Sequence, residues 1–206
     1  MTRFARIWPF VAAMAAVVAL SNVLVQHPFA HFGLGEVLTW GAFTYPVAFL
    51  VNDLTNRRFG PAAARRVVFA GFALAVVLSV WLASPRIAVA SGSAFLAAQL
   101  LDAAVFDRLR GTAWWRAPLI STLAGSVLDT ALFFTIAFAP PFAALDTAFG
   151  LADGTLAFPA SLFGVAMPLW LSLAFGDFAV KVLVGLAMLV PYGALLSVLR
   201  PAPAAR

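Results

Sequence analysis

Residues 44–66 read TYPVAFLVNDLTNRRFGPAAARR, and the rest of the chain is organised around them. The first half of this stretch is apolar and aromatic and suits lipid. The second half places Asn52, Asp53, Asn56, Arg57 and Arg58 within seven positions. Phe59-Gly60-Pro61 then breaks the helix, and Arg65-Arg66 opens the next apolar run. This pattern predicts the cytoplasmic end of a membrane helix, a tight basic turn and a return helix. Short cytoplasmic loops are normally basic, which accounts for the arginines. It does not account for Asn52 and Asp53, which lie in the apolar part. Polar groups at that depth cost free energy and mark a pathway or a site.

The composition agrees with a chain that lives in a bilayer. It is 64% hydrophobic and 10% charged, with a mean hydropathy of +1.00. Such values exclude a soluble domain of this size and indicate a polytopic membrane protein. The net charge of +5 comes from loop arginines, so it is not read as nucleic-acid binding. Cysteine is absent, which excludes disulfides, cysteine metal sites and thiol catalysis. Arg3 and Arg6 precede an apolar run of about 20 residues, long enough to span, so the start is read as a membrane span rather than a cleaved signal.

The hydrophobic runs define an all-α integral membrane protein, one domain over residues 1–206 with six spans: 7–26, 36–56, 65–84, 87–106, 118–138 and 169–199. Each approaches the ~20 residues needed to cross ~30 Å of hydrocarbon. The last is longer, so it either tilts or begins with an interfacial segment near 168–176. The arginines orient the bundle. Arg3 and Arg6, then Arg57, Arg58, Arg65 and Arg66, then Arg108, Arg110 and Arg116, and finally Arg200 and Arg206 all fall on one side. Arg86 alone is in a loop on the other. The positive-inside rule then puts both termini in the cytoplasm. Trp8, Trp114 and Trp115 sit at cytoplasmic span ends, and Trp40, Trp81 and Trp170 near outer ones, as an interfacial aromatic belt does. The one long loop, 139–168, is on the outer side and carries its own short structure or covers a site.

Several spans carry a polar and aromatic stripe at helical spacing. These are Tyr45, Phe49, Asn52 and Asn56 in the second; Ser91, Phe95, Gln99 and Asp102 in the fourth; Thr122, Ser126, Asp129 and Phe133 in the fifth; and Asp177, Lys181, Met188 and Tyr192 in the sixth. Asn22 and Gln26 end the first. A carboxylate at the bilayer centre costs about 2.5–3.5 kcal/mol on insertion scales, so each should face the bundle interior. At about 1.5 Å per residue, Asp129 is near mid-membrane and Lys181 near the outer boundary. Asp177 and Lys181 stand at i, i+4 with the acid first, the favourable order for an ion pair. Asn22, Gln26, Glu36 and Trp40 belong to the outer side, and Asp53, Asn56, Asp102 and Asp107 to the cytoplasmic side. An outer binding cavity with an inner gate of Asn52, Asp53, Asn56, Arg57, Gln99 and Asp102 produces this distribution. Two structural networks of interhelical hydrogen bonds also produce it. Ala12, Ala15, Ala16 and Ala19 form small-xxx-small pairs that let helices approach closely.

Catalytic patterns are lacking. His27 and His31 flank a proline in a short outer loop, Gly125-Ser126 lacks a surrounding G-x-S-x-G, and neither HExxH nor a metal-binding D-x-x-D cluster occurs. The chain is therefore expected to be no enzyme and to hold no cofactor or metal.

In TYPVAFLVNDLTNRRFG and the following AARRVV, the chain resembles the queuosine precursor transporter family, also called the vitamin uptake transporter family. SNVLVQ at 21–26, AQLLDAAVFDRLR at 98–110, STLAGSVLDTALFFTIAF at 121–138 and KVLVGLAMLVPY at 181–192 resemble the same family. The resemblance implies import of a 7-deazaguanine, such as 7-cyano- or 7-aminomethyl-7-deazaguanine, across the inner membrane for queuosine synthesis in tRNA. For such a ligand, Asp129 or Asp177 would accept two adjacent ring-edge N–H donors. Asn22 and Lys181 would serve its carbonyl, and Trp40 or Phe43 would stack on its plane. Two rival readings stay open: a substrate-binding subunit of an energy-coupling-factor vitamin transporter, docked through the alanine face of the first span, and a non-transporting scaffold. No Walker A motif is present, so any use of ATP requires an energising partner. A homo-oligomer is the other partner considered.

Overall fold

The computed structural model describes residues 3–31, 38–162 and 164–196. Glu36, the first residues of the second expected span, the end of the sixth, Arg200 and Arg206 lie outside the described residues. Among those described, five helices are long and apolar enough to cross a membrane. They are α1 (Arg3–Leu24), α4 (Pro61–Leu82), α5 (Pro85–Leu109), α6 (Arg116–Phe138) and α8 (Leu169–Leu196). The boundaries follow local chemistry. Gly60, at φ +86°, ends one helix, and Pro61 opens α4 at the first helical position, where a missing N–H is harmless. Ser84 caps α5 by accepting the amide of Ile87. α8 runs unbroken from Leu169, so no separate interfacial segment precedes it.

The second expected span differs most. It is two pieces, α2 (Gly41–Thr44) and α3 (Val47–Phe59). Tyr45 and Pro46 keep right-handed helical angles, but Pro46 has no N–H to give. Ala48 and Phe49 therefore bond back only three residues, to the carbonyls of Tyr45 and Pro46. Residues 41–59 form one bent rod of about 28 Å at 1.5 Å per residue. Before it, Pro28 and Thr39 pair in an antiparallel bridge, and among the described residues the rod begins at Gly41.

α3 is central. It packs against α1, α4, α5, α6 and α8, and Ala48, Phe49, Asn52, Asp53, Thr55 and Asn56 are buried. The most polar helix thus has the least contact with the surroundings, as polar side chains in lipid require. Its Ala48 and Val51 pack with Met14, Val18, Val67, Val68, Ala75 and Phe95. Met14 and Val18 supply the packing face of α1, whereas Ala12 and Ala16 are exposed.

Several contacts gather the basic segments at one end. Phe10 of α1 packs edge-on to Phe59 at the close of α3, with ring centroids 5.6 Å apart. Arg57 donates to the Arg110 carbonyl across the α5–α6 turn at 2.7 Å, and to the hydroxyl of Tyr192 in α8 at 2.9 Å. At the opposite end, residues 139–168 fold into a 3₁₀ turn (Pro140–Phe142), α7 (Ala144–Thr147) and an antiparallel hairpin, β1 (Pro159–Leu162) with β2 (Val165–Pro168). Arg86 fastens this loop. Its side chain is 1% exposed and donates to the carbonyls of Ile136 and Ala139, to the Asp146 and Asp153 carboxylates and to the Thr155 hydroxyl.

Candidate functional site

The half of the bundle toward Arg86 encloses a cavity of about 640 Å³. Its walls are largely apolar, with Phe95, Phe133, Phe134 and Phe138 among them, and its size suits a small-molecule ligand. The polar groups converge where α6 and α8 face the bend between α2 and α3. Lys181 donates to Asp129 Oδ2 at 2.7 Å and to Asp177 Oδ2, and lies 3.2 Å from the Thr130 hydroxyl. The Tyr45 hydroxyl donates to Asp129 Oδ1 at 2.7 Å, and the Thr130 hydroxyl to Asp177 Oδ2 at 2.9 Å. The Lys181 ammonium also lies 5.4 Å from the Tyr45 ring centroid, close enough for a cation–π contact. The bend in the rod aims Tyr45 at this centre. Asn22, on α1, lines the same cavity and anchors its amide on the Val18 carbonyl.

Four of the expected binding residues, Asn22, Asp129, Asp177 and Lys181, thus share one cavity. Trp40 and Phe43 do not line it. They form a separate aromatic cluster with Phe29, whose ring centroid is 4.8 Å from each. The antiparallel pairing of Pro28 with Thr39 sets them beside Phe29, an effect no helical wheel contains. Their places on the cavity wall are taken by Tyr45, Phe95 and Phe133.

A second polar centre lies further along α3 toward the basic end. Asn52 donates to the Gln99 carbonyl and to Asp102 Oδ2, both at 2.8 Å, and Asn56 to the Ala103 carbonyl at 2.8 Å. The Ser121 hydroxyl donates to Asp53 Oδ1 at 3.2 Å. Arg57 lies over the Phe106 ring, 5.1 Å from its centroid. All the residues expected in the inner cluster, Asn52, Asp53, Asn56, Arg57, Gln99 and Asp102, therefore meet where α3, α5 and α6 pack. Phe49 stands between the two centres, one helical turn from Tyr45 and one from Asp53, and is fully buried. Its ring presses on Gly125, where a Cβ would come within 2.6 Å of Phe49 Cε1.

Sequence reasoning gave no place in the site to three residues that it named. Phe49 and Gly125 form a tight ring-on-glycine contact that spacing alone does not reveal. Arg86 had one signal, being a lone arginine on the side where the others are missing. Outside the membrane-crossing helices, Asp153 has its carboxyl held below the ordinary range by the Thr155 hydroxyl and amide, with Arg86 adding to this.

A family model described as "Putative vitamin uptake transporter" matches residues 39–84 and 77–195. A queuosine precursor transporter of Escherichia coli is 37% identical, over 89% of this chain and 83% of its own length. A probable queuosine precursor transporter of Haemophilus influenzae is 34% identical over the same shares. A third protein of the latter description, from Bacillus subtilis, is 27% identical over 57% of this chain and 63% of its own. No solved structure matches the chain. The family match runs through the bent rod, the basic turns and both polar centres, and the chain belongs to the vitamin uptake transporter family.

Proposed function

We propose that this chain imports queuosine precursors, 7-deazaguanines such as 7-cyano-7-deazaguanine, across the inner membrane for salvage into tRNA modification. The observation that carries the reading is the Asp129–Lys181–Asp177–Tyr45 centre at the wall of an aromatic-lined cavity of about 640 Å³. The names of the relatives support it. A guanine-like edge presents adjacent N–H donors, which suit a carboxylate, and a carbonyl, which suits an ammonium or an amide. Both oxygens of Asp129 are engaged by Tyr45 and Lys181, while the bonds to Asp177 fall on Oδ2. Asp177 Oδ1 therefore meets the ligand edge, Lys181 and Asn22 serve the carbonyl, and Asp129 fixes Lys181. The planar ring lies against Tyr45, Phe95 or Phe133.

The bent rod 41–59 is the sixth crossing. Its length of about 28 Å and the return of α1, α3, α5 and α8 to a common basic end support six crossings with both termini cytoplasmic. The cavity then opens outward, and the inner centre, closed by Phe49, is the gate. Uptake of labelled 7-cyano-7-deazaguanine by cells lacking their own importer tests the reading. Cells given this gene should accumulate the label, and cells given Lys181→Met should not. Cysteines introduced at Ala63 and Gly111 should label only from the cytoplasm, and one at Asp153 only from outside. Labelling at 153 from inside rejects the six-crossing topology.

A further inference from the structure

The two centres differ in how completely their polar atoms are paired. Every buried side-chain polar atom without a hydrogen-bond partner among the described residues lies inward of the cavity. These atoms are Asn52 Oδ1, Asn56 Oδ1, Arg57 Nη2, Asp102 Oδ1, the Ser126 hydroxyl and both polar atoms of the Gln99 side chain. Asn52, Gln99, Asp102 and Ser126 are at 0% exposure. None of the unpaired atoms belongs to Tyr45, Asp129, Thr130, Asp177 or Lys181. A buried polar group left unpaired costs free energy, and native interiors contain few of them. Their concentration in one place points to a partner that arrives in another state of the molecule.

Helix spacing sets this place just beneath the cavity. Gln99 is four residues past the cavity-lining Phe95 on α5, about 6 Å further toward the basic end at 1.5 Å per residue. Ser126 is three residues inward of the cavity-lining Asp129 on α6. The Asn52 amide ties α3 to α5, donating to the Gln99 carbonyl and to Asp102 Oδ2 at 2.8 Å each. Asn52 Oδ1, Asp102 Oδ1 and the Gln99 amide therefore belong to one crossing of α3 and α5. Phe49 stands above it. Its ring presses on Gly125, the neighbour of Ser126, and the carbonyl of Ala98, the neighbour of Gln99, is 3.2 Å from the same point.

We propose that Asn52, Gln99 and Asp102 form a second binding station for the planar base, occupied after Phe49 moves aside and before release to the cytoplasm. The set is complementary to a guanine-like edge. Asp102 Oδ1 and Asn52 Oδ1 accept its two adjacent N–H groups, and Gln99 Nε2 donates to its carbonyl. Ser126, between the two stations, offers a hydroxyl that donates or accepts as the base passes. The outer centre presents an ammonium to the same carbonyl, and here a neutral amide replaces it. Charge-assisted hydrogen bonds are the stronger kind, so the base is held less tightly at the inner station and leaves it readily. With the gate closed, the unpaired atoms raise its energy and so ease its opening. The inference rests on the importer reading above for its cargo.

The test is Gln99→Met, which keeps the length of the side chain and the backbone carbonyl that Asn52 uses, and removes both unpaired atoms. The full-length protein is placed in proteoliposomes in one orientation. Exchange of labelled 7-cyano-7-deazaguanine is then measured with the ligand varied on one face at a time. The half-saturating concentration on the cytoplasmic face should rise about tenfold, as for the loss of one or two neutral hydrogen bonds, and the outer one should stay within about twofold of wild type. An equal rise on both faces means a single shared site and overturns the second station, as does no change on either. A melting curve needs no ligand. With the unpaired atoms gone, Gln99→Met should melt at or above wild type. A lower melting temperature shows that ordered water already pairs these atoms in the resting protein, and overturns their reservation for the base. Gln99→Leu repeats both measurements, with the same expectations, where methionine packs badly. A wild type that exchanges no 7-deazaguanine overturns the importer reading itself and removes the cargo from both stations.

Discussion

The two polar centres contain the same number of carboxylates and answer the cost of burying them in opposite ways. Asp129 and Asp177 share the ammonium of Lys181, with two hydroxyls completing the set. Asp102 accepts from the Asn52 amide and Asp53 from the Ser121 hydroxyl, with no ion pair to either among the described residues. A paired charge keeps its ionisation through a transport cycle and can present a fixed pattern to a ligand. In the proposed reading recognition therefore belongs to the first centre and the gate to the second, with Phe49 between them.

The contrast is tested most strongly at Lys181. Lys181→Met leaves two carboxylates buried without a cation. Breaking a buried ion pair from one side costs about 3–5 kcal/mol. A large loss in melting temperature is expected, together with loss of ligand binding, whereas Asp53→Asn should melt close to wild type. Equal melting of the two variants would remove the distinction drawn between the centres.

The partition between the centres is tested at Gly125. In Gly125→Ala the new Cβ would lie 2.6 Å from Phe49 Cε1 and 3.2 Å from the Ala98 carbonyl. Overpacking of this kind costs about 1–3 kcal/mol. Displacement of Phe49 should lower transport more than binding, which parallel uptake and affinity measurements would register.

Within the recognition centre, Asp177→Asn replaces an acceptor with a donor. Binding should weaken by about 1–3 kcal/mol, or roughly five- to over a hundred-fold. Trp40→Ala and Phe43→Ala should leave affinity unchanged, since neither lines the cavity. An Asp177→Asn variant with wild-type affinity would transfer the reading role to Asp129.

The smallest effect is expected in the loop. Asp153 is exposed, and its carboxyl is held below the ordinary value of 3.8, first by Thr155 and then by Arg86. Its contribution is complete above that value and is lost as pH falls through the lower folded-state value. Wild type and Asp153→Asn should differ slightly near neutral pH and converge in strong acid, as melting curves across pH would show.

Much of this organisation is visible from residue order alone. Helical spacing and arginine placement mark the ends of the long helices, because hydrophobic length and loop charge are local properties. The i, i+4 pair of Asp177 and Lys181 is local too. Asp129 joins it only through the packing of α6 on α8, which residue depth does not reveal, since spacing puts Asp129 near mid-membrane and Lys181 near the outer boundary. What stays hidden is set by contacts distant along the chain. Pro46 is plain in the sequence, yet the bend it makes matters only because Tyr45 then reaches Asp129. The family resemblance implies Trp40 or Phe43 as ligand-stacking groups, but they pack against Phe29 instead, beside the Pro28–Thr39 bridge.

The Arg86 latch has a consequence for biogenesis. Its carboxylate partners are 60 and 67 residues further on, and the helical hairpin of α5 and α6 comes between. Both helices are therefore synthesised before Asp146 and Asp153, which neutralise the guanidinium. Nascent chains arrested before and well after residue 153 has left the ribosome should differ in the reactivity of a cysteine introduced at Ala83, beside Arg86. In the six-crossing topology proposed above, Arg86 opposes the orientation that the other loop arginines favour until the later segment emerges, so the final commitment of the α5–α6 pair waits for the loop that follows it.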